Sequence, residues 1–527
     1  MGRPDLMDEA APGPIAWPAL DVEIPPTSPE AVAVPPMPRW LDLAQSNRAG
    51  LDAESADIAG MPLADLRRQA RAQAAAAAAA YTRGLGLEVA GGRPDLLLCT
   101  GHQPTLVHPG IWIKYLALSR LVPPGGIGLS LIVDSDAADE ISAEVPRADG
   151  RLRRERVVLA RGGPEVPAEL IPAPTDGDWR AFVAEVDAHL QTLQEPEVVA
   201  AWARVRALPP PPRGAGLSGA VTWLRRTLEG RRPYLDLPVS QVAGLPAFRR
   251  FALAILGDAR RFADLHNVCL ASYREHYGIR TGAQPFPDLI ADAARVEVPF
   301  WYFADGRRWP LFADVQRGLL VVDGRPVGAL PAAVDDPAFT ALPIRPRALV
   351  LTAFARLVLS DLFIHGVGGG RYDRATDAII RAFFGVRPPA YAVVTATLWL
   401  PFASGAPSVA ERVRLQRLLL DLQHNPDRYL PQDAGPHRAL VEEKWALIRK
   451  LDQSGLTRRE RRAATQRIRE INLILQVVVA DQVAEVQEAL RALDRRDQDA
   501  EVTGYRGFPF LLHPVESVEA LVDALGR

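Results

Sequence analysis

The chain has 527 residues, with 61 Lys+Arg set against 63 Asp+Glu, so its net charge is −2. That length holds several domains and the near-neutral charge leaves no basic field for a nucleic-acid partner. Two cysteines, Cys99 and Cys269, cannot build a disulfide framework or a zinc ribbon. With no signal-like leader and no membrane-length apolar run, the expected setting is cytoplasmic, away from any bilayer.

Residues 1–38 are rich in proline and read as an irregular strap, and residues 55–85 read as a helix. Within that helix the polyalanine tract Ala74–Ala80, flanked by Arg67, Arg68 and Arg71, reads as a surface element. Leu96–Thr100 is a short apolar run of buried-strand type, Gly101–Gly110 is a loop, and Ile111, Tyr115, Leu118 and Leu121 fall at helical spacing. Strand, glycine-containing loop and helix in that order place backbone N–H groups and a helix N-terminus at the carboxyl edge of a sheet, where an anion binds. Gly101, His102, Gln103, Pro104 and His108 are the candidate contacts on this loop. Lys114, on the helix, is one of only three lysines, with Lys444 and Lys450. In so arginine-rich a chain, a lysine here points to a need for a compact ammonium.

Gly128–Val133 reads as a second parallel strand and runs into Asp134, Asp136, Asp139 and Glu140. Carboxylates just past such a strand can hold a magnesium ion, a ribose or an amine. Residues 151–235 mix helical stretches with the Pro209–Pro212 break, Tyr234–Val239 reads as a strand, and Pro246–Tyr277 as a long arginine-rich helix in which His266 and His276 are ordinary helix-face residues. Residues 295–330 change to a period of two, with Asp305-Gly306 and Asp323-Gly324 as turns: an antiparallel meander.

The second chemical stretch is the glycine-rich loop at His365, Gly366, Gly368, Gly369 and Gly370, followed by Arg371, Tyr372 and Asp373, with Asp373 as the N-cap of a helix that begins near Thr376. Tyr391–Leu398 reads as a further strand. From Ser408 the pattern is helical. Leu440–Leu451 is one helix, Gln453-Ser454-Gly455 a turn, and Thr457 with Glu460 a capping box. Ile468, Ile471, Leu475 and Val478, then after a one-residue slip Val479, Val483, Val486, Leu490 and Leu493, form an apolar seam. The seam serves either pairing with a second copy or packing against its own chain.

The succession Thr100–Pro104 (TGHQP), a helix with Lys114, and a strand leading to Asp134 and Asp139-Glu140-Ile141 resembles the bacillithiol-biosynthesis cysteine-adding enzymes, the BshC family. The resemblance implies an α/β fold with a Rossmann-like, nucleotidyltransferase-like parallel-sheet core over 95–400, interrupted by an inserted β-meander and helical region at about 151–330. It also implies a dimerising coiled-coil hairpin over 401–500, and the residues themselves add a Pro-rich strap and helix over 1–94 and a return segment over 501–527. The implied activity joins cysteine to a glucosaminyl-malate amine. The chain departs from the family at Thr105, at His108-Pro109-Gly110, at Asp134-Ser135-Asp136-Ala137 and at the His365–Asp373 loop, all ligand-facing positions.

The expected function is therefore a ligase or transferase with His102, Lys114, Asp136 and His365 as its catalytic set. Around these, Gly101, Gln103, Pro104, His108, Asp134, Asp139, Glu140, Gly366, Gly368, Gly369, Arg371, Tyr372 and Asp373 would hold a small-molecule substrate. The cofactor stays open between a nucleotide such as ATP or ADP and Mg2+. Two alternatives stand beside it: another amine or phosphosugar transferase on this scaffold, and a non-catalytic dimeric ligand-binding protein. A metal hydrolase on His102, His108 and Asp134 lacks the helical H-x-x-x-H pair, and no metal ligand is assigned.

Overall fold

The computed structural model describes residues 15, 17, 22–89, 91–92, 96–193, 195–281, 284, 286–402, 409–430, 435–451 and 456–527. The chain divides into two compact units, Met1–Val145 with Arg154–Pro401 and Arg506–Arg527, and Pro146–Arg153 with Phe402–Tyr505.

The first unit is a mixed α/β body built on a six-stranded sheet. Its order is Glu30–Val34, Ala392–Thr397, Leu362–His365, Leu97–His102, Ile127–Ile132 and Tyr234–Pro238. The last five run parallel. Glu30–Val34, inside the stretch expected to be an irregular strap, instead closes one edge antiparallel to Ala392–Thr397. From Leu97–His102 the strands step outward on one side to Ile127–Ile132 and Tyr234–Pro238, and Leu362–His365 and Ala392–Thr397 return on the other. A reversal of this kind in a parallel sheet opens a crevice at the strands' carboxyl ends.

Helices cover both faces, as the unbroken apolar runs require. Leu63–Gly84 covers one, and its alanine tract turns one face to the core: Ala74 and Ala78, with Ala70 a turn earlier, are buried in one cluster with Cys99, Leu129 and Leu235, while Ala76 and Ala80 stay exposed. Small side chains let the helix approach the strands closely. Arg67 and Arg71 are buried with it and both pair with Asp361, Arg67 at 2.9 Å, while the other Asp361 oxygen accepts from the Leu97 amide at 2.8 Å. Pro109–Leu121 covers the opposite face. A Cβ on Gly128 would stand 2.9 Å from Val122 and 3.1 Å from Leu118, so a glycine is needed for that approach.

The expected meander is present as strands Arg295–Ala304, Arg307–Asp314, Leu319–Val322 and Arg325–Ala329, and Ile344–Pro346 extends it on the far side of the first. Asp305, Gly306, Asp323 and Gly324 all have positive φ, the type I′ geometry that Asp-Gly favours. The C-terminal segment returns to this unit, where the Phe510 amide donates to Val107 O at 2.8 Å and the Phe510 ring packs against Trp112.

The second unit is helical. Arg458–Val478 and Ala480–Thr503 are separated by Val479 alone, the position of the slip in the apolar seam. Val479, Val486 and Leu493 form a cluster with Leu415 and Leu422 of the Val409–His424 helix, so this half of the seam is filled within the chain. Thr457 and Glu460 form the capping box, with reciprocal bonds of 2.9 and 3.3 Å. The expected turn at Gln453-Ser454-Gly455 lies outside the described residues. Lys444 is buried, donating to Asp427 and to His424 O.

Candidate functional site

The crevice at the strand reversal is a cleft of about 760 Å³. Gly101, His102, Gln103, His108 and Lys114 line it from the early motif, Asp136 from the next strand end, and His365, Gly366, Gly368, Gly369, Tyr372 and Asp373 from the late one. The two motifs meet because Leu97–His102 and Leu362–His365 are neighbouring parallel strands. The Lys114 stem runs 3.9 Å from where a Cβ on Gly366 would lie.

The late motif is built differently from its expected form. The helix starts at Val367 with Gly366 as N-cap, so Gly368–Gly370 are its first turn rather than a loop, and Asp373 lies inside it instead of capping it. Helix propensity argues against glycine there. Packing decides otherwise, since a Cβ on Gly369 would stand 2.9 Å from His365 Nδ1. His365 Nε2 lies 2.9 Å from Asp373 Oδ2, and the Arg356 guanidinium lies 2.7 Å from the same oxygen. Burial works against the Asp373 carboxylate, but Arg356 and His365 outweigh it and hold its pKa at about 2. An ionised carboxylate only accepts, so Nε2 carries a proton, and in the neutral form of the ring Nδ1 presents the lone pair. Phe363 and Tyr391 flank the ring at centroid distances of 4.5 and 5.2 Å. Without a side chain at 369, that lone pair stays uncovered.

On the other wall, Lys114 is buried and its Nζ donates to Gly101 O at 2.7 Å. Burial, with Arg225 adding repulsion, pushes its pKa down to about 7. Burial and Lys114 push His102 down to about 3, so its imidazole is neutral; with Gln103 O 3.1 Å from Nδ1, the proton sits there and Nε2 is the acceptor. His108 is the N-cap of Pro109–Leu121, its Nδ1 accepting from the Gly110 amide at 3.1 Å.

Several cleft residues carried no motif in the sequence. Arg506 comes from the return segment and donates to Ala396 O at 2.8 Å. It accounts for Gly110, where a Cβ would fall 2.2 Å from its Nη2. Trp301 is flanked by Arg308 and Arg347, at 4.7 and 4.0 Å from the ring centroid. His266, read as an ordinary helix-face residue, is buried and lines the cleft. Among the described residues neither Lys114 nor Arg506 has a carboxylate partner, whereas Arg308 lies 3.3 Å from Asp136 and Arg347 2.6 Å from Glu297. The Lys114 amine and the Arg506 guanidinium, with the uncapped first-turn amides at Val367–Gly369, give the cleft donors without a carboxylate partner among the described residues.

Other expected contacts fall elsewhere. Asp136 faces the cleft, but both oxygens are engaged, by Gln103 at 3.0 Å and Arg308 at 3.3 Å, so it ties the loop to the meander. Asp134 faces away: its carboxylate accepts from the Ser240 amide at 2.9 Å and from the Ser240 hydroxyl, and it lines a separate cavity. Asp139 is exposed and Glu140 is 3.5 Å from Arg156, because the chain turns there into the Glu140–Ala148 strand and leaves the cleft. Pro104 is buried outside the cleft lining, and Arg371 is exposed and donates to Val22 O at 3.2 Å.

Among the described residues no group of three or more His, Cys, Asp or Glu side chains is arranged to hold a metal ion, and no helix is long and apolar enough to cross a membrane. Burial raises both thiols, Cys99 most, which removes a thiolate nucleophile from the chemistry. Fold and cleft together define a mixed α/β protein with a donor-lined pocket at the carboxyl edge of its sheet. No protein-family model matches the chain, and no curated protein does.

Proposed function

We propose that the chain is a carbon–nitrogen bond-forming ligase or transferase of the cysteine-adding type, on a Rossmann-like, nucleotidyltransferase-like core. The observation that supports this is the meeting of Lys114 and His102 with His365 and Asp373 in one cleft. An amine attacks a cysteine carboxyl that already carries a leaving group, and His365 Nδ1 takes the amine proton while Asp373 steadies the imidazolium. The carboxyl oxygen has to leave on an activating group, so a nucleotide such as ATP, with Mg2+, is the expected co-reactant. Lys114, Arg506 and the Val367–Gly369 amides hold the negative charge of that group. In this reading Asp136 positions the early loop.

Thiol profiling of a deletion strain tests the proposal: a low-molecular-weight thiol should vanish and its cysteine-free amine precursor accumulate, and an unchanged profile refutes it. Trp301 between two arginines, beside loops that depart from the family, favours as a second reading a different amine or phosphosugar acceptor. Dimerisation in the cytoplasm belongs to the same proposal. Leu473, Ile474 and Val477 leave an exposed apolar stripe on the Arg458–Val478 helix, and a monomeric mass at micromolar concentration contradicts the dimer.

A further inference from the structure

Nearly every basic residue of this chain is an arginine, and only Lys114, Lys444 and Lys450 are lysines. Lys444 is buried against Asp427 and the His424 carbonyl, and Lys450 is exposed on the helical unit. Lys114 alone of the three lines the cleft. An arginine would hold an anion there as well, through a planar fork that suits carboxylate and phosphate. What a guanidinium does not do is give up its proton and attack a carbon. A lysine in this place therefore supplies something that the chain's usual basic residue lacks.

The surroundings suit an amine that reacts. Lys114 is 3% exposed, its Nζ donates to Gly101 O at 2.7 Å, and among the described residues no carboxylate pairs with it. A carboxylate partner would hold the ammonium charged, which a lone carbonyl does far less. Burial and repulsion from Arg225 bring its pKa down to about 7, so a neutral amine is present at neutral pH. His102 follows Gly101, lines the same cleft and keeps Nε2 as an acceptor. The Lys114 stem runs beside Gly366, the N-cap of the helix whose first-turn amides are uncapped, and Arg506 borders the same cleft.

We propose that Lys114 is a nucleophile that forms an imine with a small aldehyde or ketone bearing a phosphate or carboxylate. Its nitrogen lone pair adds to the carbonyl carbon, and the carbinolamine then loses water to give the C=N bond. Both protons that leave the nitrogen end on the departing oxygen, with His102 Nε2 placed to carry them. The anionic group rests on the Val367–Gly369 amides and Arg506. This inference stands on the geometry of the cleft and needs no cysteine, acceptor amine or nucleotide. It can fail while the ligase reading holds, and the reverse.

Incubating the full chain with pyridoxal 5′-phosphate, fixing the imine as a secondary amine with sodium borohydride and mapping the peptides by mass spectrometry tests the site. The adduct should fall on Lys114 ahead of Lys450, although Lys450 is the exposed one. Pyridoxal, which lacks the phosphate, should label Lys114 at least about tenfold more slowly, the margin of a hydrogen bond to a charged group. Sodium sulfate should protect Lys114 and leave Lys450 labelled. Labelling of Lys450 at or above the level of Lys114, equal rates with pyridoxal and its phosphate, or no protection by sulfate would each overturn the proposal.

Discussion

Gly368 and Gly369 lie side by side in the first turn of the same helix, and alanine at each should act in opposite directions. At Gly368 an added Cβ meets nothing within 4 Å, so Gly368→Ala should gain the helix-propensity difference, about 0.5–1 kcal/mol. At Gly369 the same gain is opposed, because the Cβ would stand 2.9 Å from His365 Nδ1. The ring cannot swing away freely, held by Asp373 at 2.9 Å and flanked by Phe363 and Tyr391. Relieving the contact means giving up a hydrogen bond to a charged group, about 1.5–3 kcal/mol. Gly369→Ala should therefore be less stable than Gly368→Ala by roughly that amount, and its His365 ring should lose the protected Nε2–H signal. Urea denaturation followed by circular dichroism gives the first quantity and nitrogen-detected histidine NMR the second. Equal stability of the two variants, with the Nε2–H signal intact in both, would refute the packing argument and the reason given for the glycine.

Other consequences follow from the same contacts. Asp373→Asn leaves Arg356 with Asp377, at 2.6 Å, and the Pro389 carbonyl, and frees the His365 tautomer, so it should destabilise the protein by about 3 kcal/mol and lower turnover at least about a hundredfold. Lys114, with its pKa lowered to about 7, is charged below that pH and neutral above it, so anion affinity should fall as pH rises from 6 to 8.5. Sulfate titration across that range, over which the anion's own charge is constant, measures it, and in Lys114→Met this fall should disappear. In the second unit, Val486→Asp places a charge in the Leu415–Leu422 cluster and should melt that helical pair, whereas Val477→Asp, at a position 76% exposed, should leave it folded. Limited proteolysis separates the two.

Much of the framework was legible because parallel strands write themselves as short apolar runs, and those at Leu97–His102, Ile127–Ile132, Tyr234–Pro238 and Ala392–Thr397 fall where such runs occur. Rare lysines were also informative: Lys114 and Lys444 are both buried with a carbonyl among their acceptors. Glycine in a helix was not legible, since intrinsic preference points to a loop and only the His365 ring explains the exception. Nor could alternation along an extended segment say which of Asp134 and Asp136 faces the cleft. The polyalanine helix was legible as a surface element but not in its buried face, because tolerance of close approach to a sheet looks like blandness in a sequence. Trp301, Arg308, Arg347 and Arg506 reach the cleft from segments with no motif, by tertiary folding alone.

The cysteine-adding proposal stands or falls on product formation. Incubating the purified chain with cysteine, glucosaminyl-malate and ATP–Mg2+, then weighing the products by mass spectrometry, should reveal a cysteinyl amide that His365→Ala does not make although it remains folded. Absence of that adduct with the wild-type chain, or an undiminished yield from His365→Ala, would contradict the account.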